Sequence, residues 1–357
     1  MSPGARWRVV RVLAGAVLAA AALYLLFASV SGAELRQAIG QARAAWVMAA
    51  LGTTLLTLGV VTVRWGVLLK IPGPIPGPDR LRQGYGESAE ASASAEGLGP
   101  RLSFGGRWNA VVIGQAVNIV FPLRFGEGAR VAVTCAETGR PAGAVTVAMA
   151  FERVLDTAAF ATMLLFLGLA GQMPQAFDAA LPTIIVFAIV TGAVLLALVR
   201  SLPTLLRWAT ARLRGDSRPA RWLAAQEASA RAAWTELARR RRLTLLVLLT
   251  ALGLLASAST NLLIFRAFDL AVPAIAALVL LAVLQAGTAI VSVPGNIGVF
   301  HYLTVLTLGA WEVPASLALA VAIVLHAVSL GPRVLLGGMS ATAMSWRKRA
   351  VPDVVGR

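Results

Sequence analysis

NIVFPLRFGEGAR, residues 118–130, is a stretch in which an apolar segment meets backbone-breaking and charged residues. It follows an apolar run that begins at Trp108, yet it holds one proline, two glycines, two arginines and one glutamate. Proline cannot donate a backbone hydrogen bond, and glycine permits tight or left-handed backbone. The stretch therefore predicts an interrupted helix with charged side chains at the interruption, and we call it the first break.

The composition places this interruption in a membrane protein. Of the 357 residues, 58% are hydrophobic and only 13% are charged, with a mean hydropathy of +0.77, whereas soluble domains carry about 25% charged residues. A helix needs about 20 apolar residues to cross about 30 Å of hydrocarbon. Runs of about this size lie at residues 9–30, 44–69, 143–170, 182–200, 243–265, 273–293 and 313–332. The sequence therefore predicts an all-α integral membrane protein with about seven or eight transmembrane helices plus broken or re-entrant helices.

The net charge of +16 would indicate a nucleic-acid partner in a soluble protein. Here the basic residues concentrate between the apolar runs, as the positive-inside rule requires of cytoplasmic loops, so we expect no nucleic acid to bind. The richest loop, 201–242, is expected to touch anionic lipid head groups, with one or two helices along the inner face of the membrane.

These charges predict that both termini lie in the cytoplasm and that the chain sits in the inner or plasma membrane. The first run, 9–30, follows three arginines and is longer than a signal-peptide core, so we expect an uncleaved first helix. Seven crossings would leave the ends on opposite sides, so the short run 297–310 is expected to cross as well, with 108–140 as a re-entrant hairpin. The expected organisation is one polytopic domain over 1–345, with cytoplasmic loops at 70–107 and 201–242 and a tail at 346–357.

A second interruption lies in VPGNIGVFHY, residues 293–302, which we call the second break. Irregular chain at membrane depth survives only where protein or a water-filled cavity surrounds it, because lipid cannot pair with backbone groups. One interruption in each half of a chain is typical of inverted-repeat transporters, whose substrate site lies at the repeat interface. The residues expected to break the helices are Pro122, Gly126 and Gly128 in the first break and Pro294, Gly295 and Gly298 in the second.

The charged residues of the first break suit an anionic ligand. Arg124 precedes the point where a helix restarts, and its guanidinium can hold a phosphate with two hydrogen bonds. Glu127 and Arg130 share a helix face, and Asn118 can hydrogen-bond freed backbone or a head-group hydroxyl. The alternative is that Arg124 and Arg130 are orientation charges at the cytoplasmic surface, paired with Glu127.

Three further charges lie inside an apolar run, in FERVLDTAAF at residues 151–160. Glu152 and Asp156 are four apart and share a face, and Arg153 can pair with Asp156. Each intramembrane charge costs at least about 2.5–3.5 kcal/mol, so such residues usually face a polar interior. A carboxylate in apolar surroundings would suit coupling to proton movement, and an intrahelical ion pair with snorkelling is the alternative.

The remaining polar residues indicate no metal site or cofactor. His301, close to Asn296 in the second break, is a candidate site residue, and His326 is expected to have a hydrogen-bonded packing role. Neither histidine has a Cys, Asp or Glu neighbour at ligand spacing, and Cys135 is the single cysteine. Motifs of serine hydrolases, zinc proteases and P-loop enzymes are absent from the sequence.

Other polar groups in the apolar runs have structural explanations. Arg64 lies near the inner end of the run 44–69, where snorkelling to the interface explains it. Interhelical hydrogen bonds explain Thr260 and Asn261. A place in the same cavity is the alternative for all three residues.

The motifs N-x3-P-x-R-x-G-E-x2-R at 118–130, ERVLD at 152–156 and PGNIGVF at 294–300 resemble the flippase-like transmembrane family. This is the group of lysylphosphatidylglycerol synthase membrane regions and their stand-alone relatives, and the resemblance spans about residues 10–340. It implies an all-helical inner-membrane protein that moves phospholipid or a polyprenyl-phosphate-linked lipid between leaflets. The chain stops at Arg357, so the cytoplasmic aminoacyl-transferase activity of bifunctional relatives is expected to be missing. Many relatives carry glutamate where this chain has His301, which implies a different mechanism if that glutamate moves protons or binds the head group.

The leading interpretation is therefore a transporter of anionic lipid rather than an enzyme. Arg124 and Arg130 would hold the head group, while Glu127, Glu152 and Asp156 would balance or relay charge. Two alternatives stay open at this point. The protein could be a membrane-embedded transferase on lipid-linked substrates, with Glu152 or Asp156 as general base, or a non-catalytic partner of a lipid-modifying or cell-envelope enzyme.

Overall fold

A computed structural model describes residues 31–70, 102–121, 125–171, 179, 181–212, 218–290 and 293–350. Within these ranges the regular structure is entirely helical. The predicted first helix at 9–30, the predicted break residue Pro122 and the predicted ligand Arg124 lie outside the described residues, as do most of the loop 70–107 and the end of the tail.

Eleven α-helices and one short 3-10 turn make up the described part of the chain. They are α1 Gly32–Gly40, α2 Ala44–Leu68, α3 Phe104–Val120, α4 Phe125–Thr138, α5 Ala142–Leu169, α6 Leu181–Arg212, α7 Arg218–Leu237, α8 Arg240–Ala267, α9 Ala276–Ile290, the 3-10 turn Pro294–Asn296, α10 Val299–Gly309 and α11 Ala315–Ala350.

Four of the described helices, α2, α6, α8 and α11, are long and apolar enough to cross a membrane. They confirm four of the predicted runs, and α5 is as long but carries the three charges of ERVLD. The run 273–293 forms the shorter helix α9. The protein is thus an all-α membrane protein, as predicted, while the number of crossings stays a prediction.

Most described residues of the predicted loop 201–242 are helical, since they lie in α6 up to Arg212, in α7 and at the start of α8. The run 182–200 continues through Pro203 to Arg212 in α6, because Leu202 and Leu206 pack against a buried apolar cluster formed by α2, α5 and α7 and so hold the helix beyond the proline. The helix α7 confirms the predicted helical segment, and it is anchored to α5 where the Gly143 N–H donates to Gln226 Oε1 at 2.7 Å. Two other boundaries also differ, since α3 begins at residue 104 inside the predicted loop and α11 runs on to residue 350 in the predicted tail.

The helices follow one order twice: long helix, short helix, break, short helix, long helix. The first set is α2 to α5 and the second is α8 to α11. The first helices of the two sets, α2 and α8, pack against each other. The second helix of each set packs against the last helix of the other set, α3 against α11 and α9 against α5. This arrangement fits the internal repeat expected from the two breaks, and inversion of the repeat stays a prediction.

Small residues bring α3 and α11 into close contact. A Cβ atom added to Gly337 would lie 2.3 Å from the Ala116 Cβ and 2.5 Å from the Val112 carbonyl oxygen. At Gly338, a Cβ would meet nothing within 4 Å. Close approach at small residues is a common way for membrane helices to associate.

We expect Gly337→Ala to lower the thermal unfolding temperature of the protein in detergent, because the added methyl group forces α11 away from α3. Overpacking of this kind costs about 1–3 kcal/mol. Circular dichroism against temperature measures the effect. Gly338→Ala is the matched control and should unfold at or slightly above the wild-type temperature, since alanine favours a helix more than glycine. Equal destabilisation by both substitutions would contradict the contact.

Candidate functional site

In the part of the chain that the structure describes, six charged side chains from α2, α4 and α5 meet in one group, which we call the ion cluster. Its arginines come from three different helices, and two of its carboxylates lie one turn apart on α5. The members are Arg64, Glu127, Arg130, Glu152, Arg153 and Asp156. The cluster therefore lies on packed helices rather than in a loop, and three of its members, Arg64, Arg130 and Glu152, are buried.

Glu152 is the centre of the cluster and is fully buried. Its Oε1 accepts a hydrogen bond from Arg64 Nη2 at 2.7 Å, and its Oε2 lies 3.1 Å from Arg130 Nη2. Arg64 also donates from Nη1 to Asp156 Oδ1 at 2.6 Å and to Thr250 Oγ1 on α8 at 2.9 Å. Buried charges persist only when they are paired and hydrogen-bonded, so this half of the cluster ties four helices together.

Arg130 is fixed by a second kind of contact. Its guanidinium carbon lies 3.9 Å from the centre of the Trp65 ring, within the range of a cation–π interaction. The indole is itself positioned, since Trp65 Nε1 donates to Thr134 Oγ1 at 3.3 Å. Ring and carboxylate together hold Arg130, which is 6% exposed.

The other half of the cluster is accessible. The side chains of Glu127, Arg153 and Asp156 are each about one third exposed, at 32%, 32% and 31%. Arg153 Nη2 lies 3.0 Å from Asp156 Oδ2, whereas Arg153 Nε is 3.9 Å from Glu127 Oε1. Among the described residues, three arginines face three carboxylates, so these six charges balance, and the contact of Glu127 is the longest of the ion pairs.

Several predicted relations are confirmed here and others are not. Arg153 pairs with Asp156 as expected, but Arg130 pairs with Glu152 instead of Glu127. Proton coupling at Glu152 was expected only if its carboxylate lay in apolar surroundings. It lies between Arg64 and Arg130 instead, so this condition is not met. The snorkelling explanation of Arg64 is wrong, because its side chain is buried against two carboxylates of α5.

The structure also shows what the sequence reading missed. Arg64 was given a place in the cavity only as an alternative to snorkelling, and Trp65 and Thr250 were not singled out at all. One signal for Arg64 was available: an arginine inside one apolar run and an acidic pair inside another can satisfy each other only if the two helices pack together.

At the first break, the start of α4 is bound to α3. Asn118 Oδ1 accepts the Gly126 N–H at 2.8 Å, which confirms the expected bond to freed backbone. A Cβ at Gly126 would lie 1.8 Å from the Gly114 carbonyl oxygen, so α3 and α4 touch through their backbones. The expectation of tight geometry at Gly128 is wrong, since this residue lies in α4 with open space around it.

The second break has left-handed backbone at three residues. The φ angles are +67° at Gly295, +52° at Asn296 and +86° at Gly298. His326 Nε2 donates to the Gly295 carbonyl oxygen at 2.8 Å, which confirms its hydrogen-bonded packing role. The His301 ring lies 4.9 Å from the His326 ring, so α10 and α11 meet at this turn.

The helix α3 connects the two breaks. The helix α3, which leads into the first break, packs against the 3-10 turn of the second. The interhelical bonds expected near this region are confirmed: Thr260 Oγ1 lies 2.8 Å from Thr53 Oγ1, and Asn261 Nδ2 donates to the Ala277 carbonyl at 3.0 Å. A water-filled cavity shared by the two breaks stays a prediction.

Comparison with known families gives a match over nearly the whole chain. Residues 12–337 match the family described as "Lysylphosphatidylglycerol synthase TM region". No match was found among curated proteins or among solved structures.

Proposed function

Because the chain belongs to the family of the lysylphosphatidylglycerol synthase transmembrane region, we propose that it moves an anionic phospholipid, or a polyprenyl-phosphate-linked lipid, between the leaflets of a membrane. The lipid leaves chemically unchanged. The acyl or prenyl tails stay in the hydrocarbon while the charged head group passes through the protein.

The observation that carries this proposal is the ion cluster and its division into two halves. Arg64, Arg130 and Glu152 are buried and form a fixed framework. Arg153 is partly exposed and its contact to Glu127 is long, at 3.9 Å. A head-group phosphate can therefore take the place of the Glu127 carboxylate and bind the Arg153 guanidinium with two short hydrogen bonds.

Charge balance explains why such binding is reversible. While Arg153 holds Asp156 and Glu127, the six described members of the cluster carry no net charge, so they are stable together without a ligand. A phosphate that enters displaces one carboxylate and leaves again when that carboxylate returns. Transport needs binding of this kind, since a head group held too tightly would not be released on the other side.

We expect Arg153→Gln to slow transbilayer movement of phosphatidylglycerol by about tenfold or more, because one charged hydrogen-bonding partner is worth about 1.5–3 kcal/mol. The measurement uses purified protein in vesicles and a fluorescent label on one acyl chain, bleached from outside with dithionite. The same label on phosphatidylcholine shows whether movement depends on lipid charge.

Arg231→Gln is the matched control, because it removes an arginine whose ion pair with Glu227 lies on the exposed side of α7. It should leave the rate unchanged. Equal rates for the wild type and Arg153→Gln would remove the proposed role of the accessible half of the cluster. Recovery of a chemically altered lipid would favour a transferase instead.

A further inference from the structure

Arg333 lies deep in the apolar helix α11 and outside the ion cluster. The candidate span runs from Ala315 to Trp346, and Arg333 stands 18 residues after its first residue and 13 before its last. With a rise of about 1.5 Å per residue, these intervals correspond to about 27 Å and 20 Å. Arg333 is therefore well inside the helix and not at either of its ends.

Among the described residues, Arg333 has no partner for its charge. Its Nε atom is buried without a hydrogen bond, and the guanidinium makes no ion pair with any carboxylate in these ranges. Each arginine of the ion cluster, by contrast, faces at least one carboxylate. A buried donor on a charged group costs free energy when it has no partner, and this points to a ligand of opposite sign.

The face of α11 that carries Arg333 is identified by its neighbours. Helical residues advance by about 100° each, so positions 326, 333 and 337 fall within about 20° of one line along the helix. His326 binds the Gly295 carbonyl in the second break, and Gly337 is in close contact with α3 at Val112. Arg333 thus lies between the second break and the packed part of α3.

We propose that Arg333 binds the phosphate group of an anionic lipid head group at this place, between α3, α11 and the second break. A guanidinium binds a phosphate through two parallel hydrogen bonds, and the surrounding apolar helices strengthen the attraction. The inference rests on the proposed function for the source of the phosphate, since a lipid that moves between leaflets carries its head group through the protein.

This site differs from the ion cluster in what binding requires. At Arg153 a phosphate must displace an internal carboxylate, whereas at Arg333 no described carboxylate has to move. The Arg333 site should therefore bind the phosphate more tightly, and the cluster should release it more readily. A phosphate on Arg333 also sits beside the turn that His326 fixes, so the site belongs to the second half of the chain.

The test is lipid binding by the full chain in detergent, followed by native mass spectrometry. The probes are short-chain phosphatidylglycerol, phosphatidylcholine of the same chain length, and inorganic phosphate as competitor. We expect wild-type protein to prefer phosphatidylglycerol, and Arg333→Gln to bind it about tenfold more weakly while phosphatidylcholine is unaffected. Arg333→Lys keeps the charge but not the planar fork, so it should fall between the two.

Arg266→Gln is the matched control, because it removes an exposed arginine at the end of α8. It should bind like the wild type. Competition by inorganic phosphate would show that the phosphate alone is recognised, and lack of competition would show that the lipid is needed. Unchanged phosphatidylglycerol affinity in Arg333→Gln, or no preference for it in the wild type, would overturn the site.

Measuring lipid binding and transbilayer lipid movement separately tests this inference and the proposed function independently. Arg333-dependent binding without transbilayer movement would leave the site standing and remove the function. Normal transbilayer lipid movement together with unchanged phosphatidylglycerol binding in Arg333→Gln would leave the proposed function standing and remove the site. If Arg333→Gln does not give a monodisperse, helical protein, the comparison of Arg333→Lys with the wild type decides, and equal affinity in those two would count against the bidentate contact.

Discussion

Glu152→Gln is expected to lower the free energy of unfolding by about 3–5 kcal/mol, the cost of removing one partner from a buried ion pair. The substitution keeps the shape of the side chain but removes its charge. Arg64 and Arg130 would then be left buried with less compensation, since both lie within 3.1 Å of this carboxylate. The loss should appear as a large fall in thermal stability in detergent, together with a low yield of folded protein.

Asp269→Asn supplies the control for this change. It converts a carboxylate into its amide in an ion pair with Arg43 whose members are 74% and 58% exposed. Exposed pairs contribute about 0–1 kcal/mol, so the control should unfold close to the wild-type temperature. Similar stability of the two variants would mean that Glu152 does not hold its arginines together.

Gly126→Ala is the second substitution with a large expected effect. The added methyl carbon would lie 1.8 Å from the Gly114 carbonyl oxygen and 2.7 Å from Asn118. Backbone cannot rotate away as a flexible side chain does, so α3 and α4 must separate and the bond from Gly126 to Asn118 Oδ1 must lengthen. We expect a loss at or beyond the upper end of the about 1–3 kcal/mol typical of overpacking.

Gly128→Ala tests whether this loss comes from contact or from helix propensity. Both glycines lie in the first turn of α4, but an added Cβ at Gly128 meets nothing within 4 Å. The control should be neutral or more stable by up to about 1 kcal/mol. Thermal unfolding and the rate of lipid movement should therefore fall for Gly126→Ala alone, and parallel behaviour of the two variants would argue against the backbone contact.

Local chemistry made part of this architecture predictable. Helices followed from long apolar runs, and both breaks followed from proline and glycine in short runs. The bond between Asn118 and Gly126 was expected because the side chain is near the freed backbone in sequence, and the pairing of Arg153 with Asp156 because they are three apart on one helix. These relations depend on a few neighbouring residues.

Relations between distant helices were not predictable in the same way. Arg64 meets Glu152 across 88 positions of sequence, and only the packing of α2 on α5 brings them together. Arg333 escaped notice for another reason. The predicted apolar run 313–332 stopped just before it, whereas the helix continues to residue 350 because backbone hydrogen bonds do not depend on the charge of a side chain.

The contacts of α11 have a mechanical consequence. The helix α11 contacts the second break through His326 and α3 through Gly337, and α3 in turn binds the start of α4 through Asn118. If α11 tilts, it must either move both breaks or lose its contact with one of them. The two halves of the molecule are thus mechanically coupled through α11 and α3, and a displacement at one break is transmitted to the other.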